Sequence, residues 1–332
     1  MPRCARLLSS LVLLGLVAAC RSQQEAPPEA TAENRPQAMS ESQPSPSRDA
    51  AKLTPPTLAA LQNLTYQGLE SAPGPVALVD GRWEGEPLAP GGAARPRVHF
   101  VRDFHLVGDV DGDGQPEGVV LLGASGGGTG DLIHVAVVAR RDERWQNVAT
   151  AVVGDRVQLR AARLAGGGIV LDVVQAGVGD AMCCPGDLVT RAWKFTGAGL
   201  TEAPAVPTGR LSLATLAGTE WVLRSWAWDE AAPSEPEVTL VVEHDRFAGR
   251  SGCNRYVAPV TADAMPGALR LGPAAGTRMA CPEPAAGVEL RFLSQLQGVK
   301  RFGFMAGQLA LSYEKDGVQG TMLFMGRTLE RE

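Results

Sequence analysis

The segment Asp109-Val110-Asp111-Gly112-Asp113-Gly114-Gln115-Pro116-Glu117 carries the sharpest chemistry in the chain. Carboxylates at alternate positions can converge on one hard cation when a glycine such as Gly114 lets the backbone turn sharply. Ca²⁺ takes six to eight oxygen ligands of this kind. Asp109, Asp111 and Asp113 would ligate through their side chains, Gln115 through its backbone carbonyl, and Glu117 at the next position. The expected ion is structural rather than catalytic. The same residues also suit a bare hairpin turn, where Asp and Gly are favoured for backbone reasons of their own. The second source of chemistry is cysteine. Cys183 and Cys184 are adjacent, and Cys253 and Cys281 stand apart. Neighbouring Cα atoms across a trans peptide are closer than a disulfide prefers. Cys183 and Cys184 could therefore form a strained, reducible bond, pair elsewhere, or stay as buried thiols. A metal pair lacks a third and fourth ligand nearby. Four cysteines allow three connectivities, and spacing does not choose among them.

The acidic segment resembles the first half of an EF-hand loop. It departs from that loop where a bidentate Glu is needed, since Val120 stands there, and its flanks read as strands. It is more similar to the strand–loop–strand calcium loops of integrin-type β-propeller repeats, but a single copy does not support a propeller. Other motifs are weaker. Gly123-Ala124-Ser125-Gly126-Gly127 matches G-x-S-x-G, yet a nucleophile elbow needs strand, sharp turn and helix. Here a glycine tract and another strand follow. No two of His99, His105, His134 and His244 have zinc-helix spacing, and His134 reads as a packed residue of an apolar strand. Cys253 as a nucleophile, with His244 nearby in sequence, would need an orienting third group, which the sequence does not indicate.

The N-terminus says where this chemistry is placed. Arg3 and Arg6 precede an apolar run from Leu7 to Val17, and Ala18 and Ala19 then stand before Cys20. This is the layout of a secretory signal with a small-residue cleavage site, and it is similar to a bacterial lipobox. The resemblance implies lipidation of Cys20 and a membrane contact made through that lipid. Arg21 follows where an Asp would signal inner-membrane retention, so the expected location is the cell envelope, at the outer membrane of a diderm bacterium. Residues 21–54 are rich in Pro, Ser, Glu, Gln and Ala and nearly free of large apolar side chains. Such a segment cannot repay the entropy of ordering and reads as a disordered tether.

The chain has 332 residues, a formal net charge of -5 and 45% hydrophobic residues. That length supports two ordinary domains after the signal, and the mild acidity without a basic cluster argues against nucleic acid as a partner. The fold class expected is mainly β, with some α+β character, in two small domains. Residues 55–202 read as an antiparallel β-rich domain. Short β-branched runs such as Val119-Val120-Leu121-Leu122, Val135-Ala136-Val137-Val138 and Ile169-Val170-Leu171 are bounded by Gly and Asp clusters. A short helix over 56–64 precedes them. Residues 203–210, with Pro204 and Pro207, read as a linker. Residues 211–332 read as strands around one helix over 284–297, with Val288, Leu290, Phe292, Leu293 and Leu296 as its apolar stripe.

Four pieces of that last region occur in a recognisable order: Leu216-Ala217-Gly218-Thr219-Glu220-Trp221, then Phe247-Ala248-Gly249-Arg250-Ser251-Gly252-Cys253-Asn254-Arg255-Tyr256, then Thr277-Arg278-Met279-Ala280-Cys281, then the helix ending in Phe292-Leu293. Together they resemble the META domain of heat-inducible, HslJ-like bacterial lipoproteins. The resemblance implies an antiparallel sheet with one main helix, no enzymatic activity, and a loose association with envelope stress and drug tolerance. In the same region Gly249 and Gly252 suit positive φ, and Asn254 suits a turn that it closes by bonding its own backbone. Cys253 and Cys281 lie in two loops that the sheet could bring together as a staple. The stretch from about Thr65 to Phe195 is similar to an uncharacterised region found beside META domains. Asp109–Gly114, Gly126–Gly130, Val152–Val157, Met182–Pro185 and Val189–Arg191 carry that likeness. The expectation is a non-enzymatic envelope lipoprotein that binds an envelope partner or supports envelope integrity under stress. A thiol-redox or hydrolytic enzyme using the cysteines, and a small-ligand carrier using the β-domain interior, are the readings from other classes. The oligomeric state is not legible.

Overall fold

A computed structural model describes residues 54–329 except Ala198. The signal segment, Cys20 and nearly all of the segment read as a tether lie outside the described residues. The fold is mainly β, every strand pairing is antiparallel, and one main helix is present. Among the described residues no helix is long and apolar enough to cross a membrane.

The first sheet is a meander in the order Arg82–Glu84, Arg97–Gly108, Glu117–Ser125, Leu132–Arg141, Arg144–Asp155. Its central strands are apolar on both sides because both faces are covered. Val119, Leu121, Val135 and Val137 face one core, whereas Val120, Leu122, Ala136 and Val138 face another. A strand alternates its side chains, so burial on both faces demands a continuous apolar run. One face packs on a second sheet built from Gln158–Ala165, Gly168–Gln175 and Asp187–Phe195, where Leu159, Ile169, Leu171 and Trp193 fill the space. The other face is covered by Leu61, Tyr66, Val76 and Leu78. Leu61 belongs to α1 (Leu58–Gln62), capped by Thr57, whose hydroxyl accepts from the Ala60 N–H at 3.2 Å. His134 is fully buried in this layer, where its Nε2 accepts the Glu70 N–H at 3.0 Å. Burial there holds its pKa below the usual histidine range.

The segment read as a linker is structured: Val206–Arg210 pairs with the Asp187–Phe195 strand, which also carries Leu200–Glu202. The C-terminal sheet runs Leu269–Leu271, Arg255–Ala262, Arg246–Arg250, Thr239–Glu243, Thr219–Ala227, Val318–Thr328, Gln308–Lys315, Val299–Met305. A bridge between Ala268 and Arg301 brings its two ends together, so the sheet nearly closes on itself. Against it packs α2 (Ala285–Gln297), burying Phe292 and Leu296, and Phe292 meets Tyr256 at 5.2 Å between ring centres. The stripe read from the sequence was too wide: Leu290 is 74% exposed. At 100° per residue it stands about 160° around the helix from both Val288 and Phe292.

The two β regions touch directly. The Phe304 N–H donates to Gln158 Oε1 at 2.9 Å, and the Gly307 N–H to the Leu159 carbonyl at 3.0 Å. Val174 and Leu188 of the second sheet belong to the C-terminal core. In the Arg246–Arg250 strand of the C-terminal sheet Gly249 has φ +157°, and a Cβ on it would lie 2.2 Å from the Thr239 carbonyl oxygen. Gly249→Ala is expected to cost about 1–3 kcal/mol, measured as a lower thermal midpoint, with the far-UV spectrum unchanged below the transition.

Candidate functional sites

The acidic segment forms the connection between Arg97–Gly108 and Glu117–Ser125, whose ends pair Gly108 with Glu117. Asp109 accepts from the Gly112 N–H at 2.6 Å and the Gly114 N–H at 3.0 Å. Asp111 accepts from the Asp113 N–H at 3.1 Å, and Asp113 from the Gln115 N–H at 2.7 Å. Gly112 and Gly114 have φ of +84° and +85°, which gives the chain its sharp turns. Glu117 is buried and accepts the Val110 N–H at 2.8 Å. Asp109, Asp111 and Glu117 each offer an oxygen, and these atoms lie within 4.8 Å of one another. They are the carboxylates that could hold a cation together; the Asp113 carboxylate stands outside that group. Burial pushes the Glu117 carboxyl up against the opposing Val110 hydrogen bond, and the charges of Asp111, Asp113 and Asp109 push it further.

The second site is built around the buried Asn254 and the half-buried Glu289. The Asn254 carbonyl closes the turn by accepting the Ser251 N–H at 2.8 Å, while its side chain reaches across the fold. Its Oδ1 accepts from Thr277 Oγ1 at 2.7 Å and from the Met279 N–H at 2.8 Å. Its Nδ2 donates to the Met279 carbonyl at 3.3 Å and to Glu289 Oε1 at 3.1 Å. Glu289 Oε2 takes the Asn254 N–H and the Ser251 hydroxyl, each at 2.7 Å. The network ties α2, the Ser251–Asn254 turn and the Thr277–Cys281 segment together, and a disulfide joins Cys253 to Cys281 across the same turn. The family model of the META domain matches residues 214–325.

This C-terminal region is a META domain.

A solved NMR structure of a protein from Burkholderia xenovorans is similar at 27% identity, covering 38% of this chain and 96% of that one, with a TM-score of 0.28. Comparison with curated proteins gives no match.

Beside its disulfide the META domain opens a groove of about 440 Å³, where Met279, Ala286, Leu290 and Leu293 form an apolar side and Glu289, Gln297 and Lys315 are among the polar residues that complete the lining. Leu290 is 74% and Met279 61% exposed there. His244 sits exposed at a hairpin turn with φ +56°, and Cys253 is engaged with Cys281. Ser125 donates to the Gly128 carbonyl at 3.1 Å, and the next element is the Leu132–Arg141 strand, so no nucleophile elbow forms around it. Cys183 and Cys184 are joined to each other in the loop before Asp187–Phe195. Trp221 and Trp226 are buried, while Trp228 is exposed under the Arg102 guanidinium at 4.9 Å.

Glu289 and Arg301 were not singled out by the sequence. The one signal for Glu289 is a carboxylate placed inside an apolar helical stripe. Burial raises the Glu289 pKa, but the hydrogen bonds from Ser251 and Asn254 outweigh it and hold the carboxyl below its ordinary range. A depressed carboxylate contributes stability above its unfolded value, and that contribution is lost as pH falls through the folded one. Glu289→Gln is therefore expected to cost about 1–2 kcal/mol near neutral pH. The difference from the parent should shrink as pH falls below the ordinary glutamate range and through the depressed folded-state value, read by thermal melts across a pH series.

Proposed function

We propose that this protein is a non-enzymatic, lipid-anchored envelope protein whose META domain binds the apolar side chain of an envelope partner protein. The observation that carries the reading is the groove beside Cys253–Cys281, where Leu290 and Met279 are left open to solvent next to Ala286 and Leu293, with polar residues such as Gln297 and Lys315 at its margin. A helix turns a leucine outward at this exposure without consequence when it stands alone; here it adjoins other apolar atoms on a rigid, cross-linked frame. Cys20 in its lipobox setting would supply the anchor, and two disulfides suit an oxidising compartment. The cavity between the two β regions, lined by His99, Asp131, Arg156, Trp228 and Phe304 among others, is about 240 Å³. That is below the usual 300–1,000 Å³ of small-ligand pockets, which favours the groove over a carrier role.

The test is a photo-crosslinking side chain placed at Leu290 in the full-length chain, with one at Val318, 60% exposed, as the control. A discrete adduct to one envelope protein from Leu290 alone is expected. Identical adducts from both positions, or none from Leu290, would refute the reading.

The acidic loop enters the same proposal as a structural Ca²⁺ site held by Asp109, Asp111 and Glu117, whose carboxylates are otherwise brought together against their own repulsion. Saturating Ca²⁺ is expected to raise the melting temperature of the full-length chain by about 5 °C and to leave Asp111→Asn unchanged. An equal response in both, or none in the parent, would reduce the loop to an Asp–Gly turn.

A further inference from the structure

The loop between Gly168–Gln175 and Asp187–Phe195 is anchored by Asp180, which accepts the Gly177 and Gly186 N–H groups at 2.8 and 2.9 Å and pairs with Arg210 at 2.6 Å. The Cys183–Cys184 disulfide sits on this anchored loop, and its two halves differ in surroundings. Cys183 is exposed, whereas Cys184 has no exposure at all. From the META domain, the Arg301 guanidinium places Nη1 2.8 Å from Cys184 Sγ and Nη2 3.3 Å from the Cys183 carbonyl. Among the described residues no carboxylate forms an ion pair with Arg301. A disulfide sulfur is a weak acceptor for such a donor. A thiolate in its place would be a strong one, because an adjacent Arg lowers a cysteine's pKa and stabilises the anion.

We propose that Cys183–Cys184 is a thiol–disulfide exchange site for a dithiol reductant, with Cys183 the sulfur attacked and Cys184 the leaving thiolate held by Arg301. A thiolate of the reductant forms a bond to Cys183 Sγ. The Cys183–Cys184 bond breaks, and its electron pair stays on Cys184 Sγ beside Arg301. The second thiolate of the reductant then attacks its own sulfur in the mixed disulfide and releases Cys183, which takes a proton. The pair gains two electrons, and the reductant becomes a disulfide. The reverse sequence oxidises a dithiol. Exchange follows access to the attacked sulfur and stability of the leaving thiolate, and the two cysteines divide those requirements between them. The reduced state replaces a weak contact to Arg301 with an ion pair that joins the loop to the META domain. This inference is independent of the groove and of the acidic loop.

The test equilibrates the full-length chain in dithiothreitol redox buffers, quenches with a mass-tagged maleimide and reads residues 164–191 by peptide mass spectrometry. The 183–184 pair is expected to open at a lower reductant ratio than Cys253–Cys281. Arg301→Gln should shift its equilibrium about tenfold toward the disulfide, which is about 30 mV, and Arg301→Lys should restore most of that shift. A second readout needs no variant: brief exposure of the parent to glutathione should leave the mixed disulfide on Cys183 and the maleimide on Cys184. Simultaneous opening of both pairs, an unshifted equilibrium in folded Arg301→Gln, or the glutathione adduct on Cys184 would each overturn the proposal.

Discussion

Glu289 sets the constraint around which the META domain is organised. Glu289 is half-buried at the margin of the packed face of the helix, and a carboxylate drawn partly out of water must find donors, because an unpaired charge there is costly. The donors available are the Ser251 hydroxyl, the Asn254 N–H and the Asn254 side-chain amide. Asn254 is in turn held at its other end by Thr277 and Met279. One charge thus fixes a helix, a tight turn and a crossing segment in mutual register. Gly252 permits the approach: it has φ +103°, and a Cβ there would lie 2.8 Å from Val288 of the helix. The Cys253–Cys281 bond, at a sequence separation of 28, closes the same triangle covalently. In the chain-entropy account a loop of that size is worth about 3–4 kcal/mol. The disulfide holds the pieces near one another, while the hydrogen bonds set their orientation. That division leaves the groove beside them with rigid walls.

In the N-terminal region the governing constraint is burial on both faces of one sheet. Strands Glu117–Ser125 and Leu132–Arg141 are covered by the second sheet on one side and by α1 and a small hairpin on the other. A register slip of one residue would exchange the two apolar sets without exposing either, so hydrophobic pattern alone specifies register weakly here. Directional polar contacts supply what the pattern lacks. His134 accepts from Glu70, and Asn147 bonds the Gln67 N–H and the Val137 carbonyl. These side chains pin the covering hairpin to defined positions on the sheet. The acidic connection inherits its geometry from the same frame, since Glu117 is both its last carboxylate and the first residue of the central strand.

What the sequence made legible follows from this. The β-branched runs around Val119, Val135, Ile169 and Leu240 were readable because both-sided or core burial leaves a dense apolar mark. The helix over 284–297 was readable from its apolar spacing. The META domain was readable because Gly252-Cys253-Asn254 and Thr277–Cys281 are parts of one hydrogen-bonded unit. Strands with one wet face were harder. Arg255–Ala262 buries Tyr256, Ala258 and Val260 in strict alternation, but it contains Pro259, which argues against a strand in sequence. Arg97–Gly108 mixes Arg and His among its apolar positions and hid for the same reason. The roles of Glu289 and Arg301 were invisible because each depends on a partner many residues away. No local pattern encodes a contact between residue 184 and residue 301.

That long-range pairing bears on how the two β regions are held. Apolar contact is non-directional, and Val174 and Leu188 in the C-terminal core would tolerate some rotation of one region on the other. The polar contacts would not. Gln158 Oε1 meets the Phe304 N–H because Gly303 leaves room: a Cβ on Gly303 would lie 2.7 Å from that oxygen. Two residues away in the same strand, Arg160 lies over the Phe304 ring at 5.3 Å, and Arg102 covers Trp228. Arg301 completes the series from the META side, reaching Cys184 and the Cys183 carbonyl. Hydrogen bonds weaken steeply with misalignment, so these contacts act together as an orientation device. The junction is therefore sensitive to chemistry at Cys184 in a way that an apolar interface would not be: a change of charge on that sulfur alters a directional contact made by a strand of the META sheet.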